Sequence, residues 1–295
     1  MKLQLEGIYA AVTTPFAGAG IDEAGFQGNI ERYNATGLAG YVVLGSTGEC
    51  VSLSDEESAA LVRIARRAAG PGKKVIAGTG RESTKLAIEF TNRMADLGAE
   101  AALVRPPSYF KSRMSTDALR AHYLAVAEAV RIPVIVYNIP QNTGISLASG
   151  LVVELAPHPN IIGLKESAGN LAFLGEVVRA VPADFSYLLG SGSLFLPALE
   201  MGARGAILAI ADAAPDICAR IYWLFKEGKA GEARRLQLDI IPLNKSLTET
   251  IGIAGLKHAL DLLGFRGGLP RLPLLPPDDK AKADISALLK GLGLI

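Results

Sequence analysis

The sequence predicts an α/β protein built as a (β/α)8 barrel with a C-terminal helical extension, and three observations carry that prediction. A short apolar or β-branched run, then Gly, Ser, Thr or Pro, then a stripe of helical period, recurs from the start to about residue 228. There are eight such runs, the number that closes a barrel. No G-x-G-x-x-G follows the first run, which removes the main signal for an open dinucleotide-binding sheet.

The expected strands are Ile8–Val12, Tyr41–Leu44, Lys74–Ala77, Ala101–Val104, Val134–Tyr137, Ile161–Lys165, Ser186–Leu189 and Ala206–Ala209. Between them, helix starts are marked chemically. Ser54 and Glu57 make a capping box, each side chain satisfying a free N–H of the first turn. Ser115 and Asp212 read as N-caps of helices running to about Val130 and Glu227. Gly37, Gly70, Gly98 and Gly228 stand where helices should stop. Residues 1–228 therefore read as the catalytic barrel. Residues 229–295 read as further helices and a Pro-rich turn region (Leu269 to Asp278) packed on that barrel, without independence as a module.

Composition narrows the function. A length of 295 residues suits one barrel and a small extension, and 49% apolar with 20% charged residues describes a globular protein with a large core. A formal charge of +1 argues against nucleic acid or an anionic membrane as partner. No apolar run approaches the roughly 20 residues of a spanning helix. The opening stretch has no long apolar segment before a small-residue cleavage site, and Glu6 interrupts it, so a cytoplasmic location is expected. Cys50 and Cys218 are too few and too scattered for a disulfide framework and read as small buried hydrophobes. His122, His158 and His258 lack metal-ligand spacing; they read as structural, and no metal is expected.

In such a barrel, chemistry gathers where the C-terminal ends of the strands meet their loops. Those ends carry Thr13-Thr14-Pro15, Gly45-Ser46-Thr47-Gly48-Glu49, Gly78-Thr79-Gly80, Arg105-Pro106-Pro107, Tyr137-Asn138, Lys165-Glu166-Ser167 and Gly190-Ser191-Gly192. Lys165 is the most informative. It closes the apolar run Ile161–Leu164, so its amine should enter the barrel mouth, where burial disfavours the ammonium and frees a nucleophile. The alternative is a lysine reaching solvent or a carboxylate. Tyr137 ends the neighbouring strand, either as a proton-passing phenol or as a barrel-filling aromatic. The Gly45–Gly48 turn suits a small anion, because its glycines expose backbone N–H groups and its hydroxyls add donors. No P-loop lysine follows it, which argues against a nucleotide.

These residues match a known family. AVTTPF (Ala11–Phe16), GSTGE (Gly45–Glu49), YNIPQNTG (Tyr137–Gly144), GLKES (Gly163–Ser167) and GSGS (Gly190–Ser193) occur in matching order and spacing. The chain thus resembles the dihydrodipicolinate synthase / N-acetylneuraminate lyase family of class I aldolases along nearly its whole length. The resemblance implies a Schiff base between Lys165 and a 2-oxo acid, with Tyr137 as proton relay and Ser46 as its hydroxyl partner. It implies that Thr47 holds the substrate carboxylate and that Gly190 and Ile207 line the pyruvate pocket. It also implies that Tyr109, or Phe110 in its place, enters a neighbouring subunit's site, and that the protein is a homotetramer needing no cofactor.

One position bears on the substrate. Family members that make dihydrodipicolinate carry an arginine where this chain has Asn142, and a neutral amide cannot offer a bidentate charged fork. With His158–Ile161 and Gly255-Leu256-Lys257, this looks closer to the 4-hydroxy-2-oxoglutarate aldolase branch. Cleavage of that substrate to pyruvate and glyoxylate is the expectation, and Arg105 is the substitute carboxylate grip should it fail. The alternatives are synthesis of 4-hydroxy-tetrahydrodipicolinate, cleavage of 2-keto-3-deoxygluconate or N-acetylneuraminate, and a keto-acid sensor without turnover. Retention of Tyr137, Ser46 and Lys165 together argues against the sensor.

Overall fold

The computed structural model describes residues 3–295. Eight parallel strands close into a barrel: β1 (Gly7–Ala11), β2 (Gly40–Val43), β3 (Lys74–Gly78), β4 (Ala101–Val104), β5 (Val134–Asn138), β6 (Ile161–Glu166), β7 (Ser186–Leu189) and β8 (Gly205–Leu208). Each strand pairs with the next, and β1 also pairs with β8, so the sheet has no open edge. The strands differ from the runs read in the sequence by at most one residue at either end.

Closure splits the apolar side chains into two layers. Tyr9, Val42, Ile76, Leu103, Ile135, Ile162, Leu188 and Ile207 fill the barrel, with Tyr137 above them. Their neighbours Ile8, Tyr41, Val43, Val75, Val134, Val136 and Leu164 face outward onto the helices. Both faces are buried, which is why these strands read as continuous apolar runs instead of alternating ones.

The helices begin as their caps require. Ser54 and Glu57 form the capping box of the helix Asp55–Ala68, and the Ser115 side chain caps Thr116–Ala129. Asp212 departs from its expected role. The chain after β8 breaks into a short helix, Ile210–Ala213, and a longer one, Pro215–Lys226, which starts on proline without a side-chain cap. The Asp212 carboxylate instead accepts from the Thr13 backbone N–H at 3.0 Å, fully buried. A small hairpin, Phe16–Ala17 with Gly20–Ile21, follows β1. Two residues per strand leave no period to read, and the sequence did not show it.

Helices Ala230–Lys245, Ile253–Leu262 and Asp279–Gly291 form the C-terminal extension. Ala233, Ile240, Leu243, Leu256, Ala259, Ile285 and Leu289 join the outer core, so the extension shares the barrel's hydrophobic layer. Gln237 stitches it further, donating to the Gly192 carbonyl at 2.9 Å and accepting from the Leu196 N–H at 2.8 Å. Ser246–Thr250 form a π-helical turn after Pro242. Among the described residues, no helix is long and apolar enough to cross a membrane.

Asp212 generates a pH prediction. Burial holds its carboxyl well above the usual range, and the single hydrogen bond from Thr13 only partly offsets this. Because the folded-state pKa is raised, folding costs stability once pH exceeds the unfolded value of about 3.9. Asp212→Asn keeps the acceptor for Thr13 and removes that cost. It should raise Tm at pH 7 and leave it nearly unchanged near pH 3, as read by thermal unfolding across pH.

Candidate active site

An irregularity in β6 aims the lysine. Along β5 and β6 the paired positions are Val134 with Ile161, then Ile135 with Gly163, so Ile162 is an extra residue on β6. Ile162 points into the barrel and Leu164 points out. Strict alternation from Ile162 would send Leu164 inward and Lys165 outward. The bulge resets the phase. Lys165 then pairs with Tyr137 on β5 and Leu188 on β7, and its Nζ lies 4.4 Å from the centre of the Tyr137 ring. Both side chains are buried, at 4% and 5% exposure, which rules out a lysine extended to solvent. Gly163 permits the close approach: a Cβ there would stand 2.3 Å from the Ser186 carbonyl oxygen.

The Gly45–Gly48 turn is held equally firmly. Leu44 and Glu49 flank it at φ 61° and 55°; among the described residues they alone take positive φ without being glycine. Such backbone persists only when its surroundings over-determine it. Thr14 Oγ1 donates to the Gly48 carbonyl at 2.8 Å, and the N–H groups of Gly48 and Glu49 close back onto Gly45 and Ser46. Thr14, from the AVTTPF segment, therefore supports the turn from beneath.

The loops after β5 and β6 are fastened by a buried carboxylate. Glu166 accepts from the N–H groups of Ala168 at 2.5 Å and Gly169 at 3.1 Å, and from the Asn138 amide at 3.4 Å. Asn138 in turn accepts from Leu147 N–H, and Gln141 donates to the Ser167 carbonyl. Burial raises the Glu166 carboxyl above its ordinary range, while these donors pull it down.

These elements surround a cavity of about 530 Å³ at the barrel mouth. It brings together Ser46, Thr47, Tyr137, Asn142, Lys165, Gly190 and Ile207, seven of the residues singled out in the sequence. The eighth, Tyr109, does not line it. Tyr109 and Phe110 sit edge to face on an exposed loop, which Glu82 holds by accepting from Ser108 and Tyr109 N–H. Arg105 is also absent from the lining. It pairs with Glu82 at 2.8 Å and borders a small recess behind Ser46 and Tyr137.

Sequence reasoning missed one wall of this cavity. Asn244, Leu247, Thr248, Glu249, Ile251 and Ile253 come from the extension, where its first helix, the π-helical turn and the next helix join. Pro242 within an otherwise helical pattern was the available signal, since such irregular turns recur at functional sites. Among the described residues, Lys165 and Glu249 are the cavity's charged side chains. The histidines take structural places. His122 is buried, bonded to Thr84 at 2.9 Å and pushed down to about 4 by burial, and His158 accepts from Asn160 N–H. Among the described residues, no group of three His, Cys, Asp or Glu side chains is placed to hold a metal ion.

This arrangement has close relatives. The model of the dihydrodipicolinate synthetase family matches residues 4–292. The chain belongs to that family. It is thus a lyase of the class I, Schiff-base aldolase type that handles pyruvate. It is 38% identical to the 4-hydroxy-tetrahydrodipicolinate synthase of Archaeoglobus fulgidus, over 98% of this chain and 99% of that one. It is 36% identical to the enzyme of that name from Exiguobacterium sibiricum, over 95% of each. Among solved structures, dihydrodipicolinate synthase from Cyanidioschyzon merolae with lysine bound superposes with a TM-score of 0.94 at 32% identity, covering 98% and 99% of the two chains. The chloride-inhibited synthase from Acinetobacter baumannii, complexed with pyruvate, does so with a TM-score of 0.92 at 31% identity over the same shares.

The GLKES segment of this family member now has a physical reading. Gly163→Ala should force β6 away from β7 and lower stability by roughly 1–3 kcal/mol, the usual cost of overpacking. Gly150→Ala, where an added Cβ meets open space within a helix, should be neutral or stabilising. Denaturant unfolding of both variants checks the contrast.

Proposed function

We propose that the chain is a 4-hydroxy-tetrahydrodipicolinate synthase, joining pyruvate to aspartate semialdehyde through a Schiff base on Lys165. The Lys165 amine attacks C2 of pyruvate, water leaves, and the iminium draws electrons so that C3 can lose a proton. The resulting enamine carbon attacks the aldehyde, whose oxygen takes up a proton; the acceptor's amine, once deprotonated, then attacks C2, and the C2–N bond to Lys165 breaks, closing the ring and freeing the lysine. Tyr137, beside Lys165, is the group we assign to these proton transfers, with Ser46 as its hydroxyl partner. Thr47, on its fixed turn, receives the pyruvate carboxylate, and Gly190 and Ile207 shape the space around the methyl end. This chemistry draws its electron sink from the lysine, so the reading calls for no added cofactor.

Relatives covering nearly the whole chain carry the synthase name, and this favours it over the 4-hydroxy-2-oxoglutarate cleavage expected from Asn142. The observation that carries the reading within the cavity is Glu249. Aspartate semialdehyde brings an ammonium as well as a carboxylate, and a carboxylate at the mouth suits that ammonium. The second carboxylate of 4-hydroxy-2-oxoglutarate would meet Glu249 with like charge. Asn142, Gln141, Ser167 and Thr248 are neutral groups available to the acceptor's carboxylate. Cleavage of 4-hydroxy-2-oxoglutarate remains the second reading, supported by the amide of Asn142 in place of a guanidinium.

Assembly into a homotetramer is part of the proposal. Val51, Tyr109 and Phe110 are exposed at 81%, 78% and 67%, and large apolar side chains left in water suit contact with a second copy of the chain. In this assembly the exposed loop of Tyr109 and Phe110 would reach a neighbour's cavity.

The acceptor is tested on one preparation in one buffer. Condensation of pyruvate with aspartate semialdehyde should exceed cleavage of 4-hydroxy-2-oxoglutarate in kcat/KM by about tenfold or more. Glu249→Gln should narrow the gap. A higher efficiency with 4-hydroxy-2-oxoglutarate would hand the assignment to the second reading and return weight to Asn142.

A further inference from the structure

Behind the Gly45–Gly48 turn lies a buried ion pair that the chemistry above does not use. Lys257, on the extension helix Ile253–Leu262, is fully buried and donates to Glu49 Oε1 at 2.5 Å and to the Leu269 carbonyl at 3.0 Å. The second oxygen of Glu49 accepts from the Arg271 N–H at 2.9 Å. The Arg271 guanidinium runs on to Glu57 and to the carbonyls of Ser52 and Ala19. Both cations also cover one ring, with Lys257 Nζ at 4.2 Å and Arg271 Cζ at 4.3 Å from the centre of Phe16.

Three segments far apart in sequence thus meet through these two cations: Phe16 after β1, Glu49 in the turn after β2, and Lys257 and Arg271 of the extension. Glu49 is not a passive member of its turn. Its φ of 55° is a conformation a glutamate adopts only under constraint, and its own N–H closes onto Ser46. Thr47 stands two residues away, inside the stretch that the Glu49 N–H closes onto Ser46. A buried lysine paired on two sides, with a carboxylate accepting on both oxygens, supplies that constraint.

We propose that Glu49 is a positioning residue, and that Lys257 and Arg271 of the extension fix through it the Ser46–Thr47 turn that receives the pyruvate carboxylate. The inference rests on the Schiff-base reading above. It makes pyruvate binding dependent on Lys257 and Arg271, neither of which lines the cavity. A purely structural ion pair would stabilise the fold without affecting pyruvate selectively.

The test is a pyruvate titration read by borohydride trapping, counting reduced adducts per chain by mass spectrometry, with Tm recorded alongside. The unsubstituted protein is compared with Lys257→Met, Glu49→Gln and Leu289→Ala; Leu289 is buried in the extension's last helix. In Lys257→Met and Glu49→Gln, half-saturating pyruvate should rise about tenfold or more, with one adduct per chain still reached at saturation. Leu289→Ala should lower Tm and leave half-saturation within about twofold of the unsubstituted protein. Half-saturation within about twofold in the Glu49 and Lys257 variants, or an equal rise in Leu289→Ala, would overturn the proposal. Should Lys257→Met not fold, Glu49→Gln decides, because its amide oxygen still accepts from a neighbouring donor. An unsubstituted protein that traps no pyruvate at any concentration would instead fault the Schiff-base reading on which the proposal stands.

Discussion

One extra residue in β6 governs what the barrel mouth can do. In a closed parallel sheet each strand presents alternate side chains to the interior, and both faces are buried. A lysine three positions beyond an inward Ile162 would ordinarily point among the outer helices. There its amine would enter the apolar layer that holds Leu164. The bulge at Ile162, admitted by the missing Cβ of Gly163, turns Lys165 inward above Tyr137. The rest of the site is arranged around that amine: Glu166 ties down the loops on either side, and the strained turn between Leu44 and Glu49 faces it.

The strand pattern was legible because it depends on local chemistry. Apolar runs bounded by Gly, Ser and Pro placed every strand, and Ser54 and Ser115 placed their caps through side-chain acceptors three residues from the N–H they serve. The candidate residues could also be read, because the barrel gathers the C-terminal ends of its strands whatever lies between them. Ser46, Tyr137 and Lys165 are 28 to 119 residues apart in the chain and meet at one cavity for that reason alone.

What was not legible involves long-range contact. Asp212 has the composition of an N-cap, but the Thr13 N–H, 199 residues earlier in the chain, claims its carboxylate. The bulge leaves no mark in a run that is apolar on both faces. The cavity wall from the extension could not be placed, because Thr248 and Glu249 reach the mouth through the π-helical turn that follows Asn244. Asn142 is legible in the sequence as an amide in place of a cation, whereas Glu249 enters the site only with that wall. In the proposed synthase, Asn142 removes one means of holding a carboxylate, whereas Glu249 would distinguish acceptors by the sign of their charge.

In the proposed reaction the bulge delivers Lys165, and no other lysine, to pyruvate. Among the described residues, Lys257 is the other buried lysine, and it is committed to Glu49 and the Leu269 carbonyl. Peptide mapping after borohydride reduction in the presence of pyruvate locates the covalent bond directly. The account predicts a single reduced adduct on the peptide carrying Lys165, absent from Lys165→Met. An adduct on Lys257 or on a surface lysine, or one that persists in Lys165→Met, would contradict it.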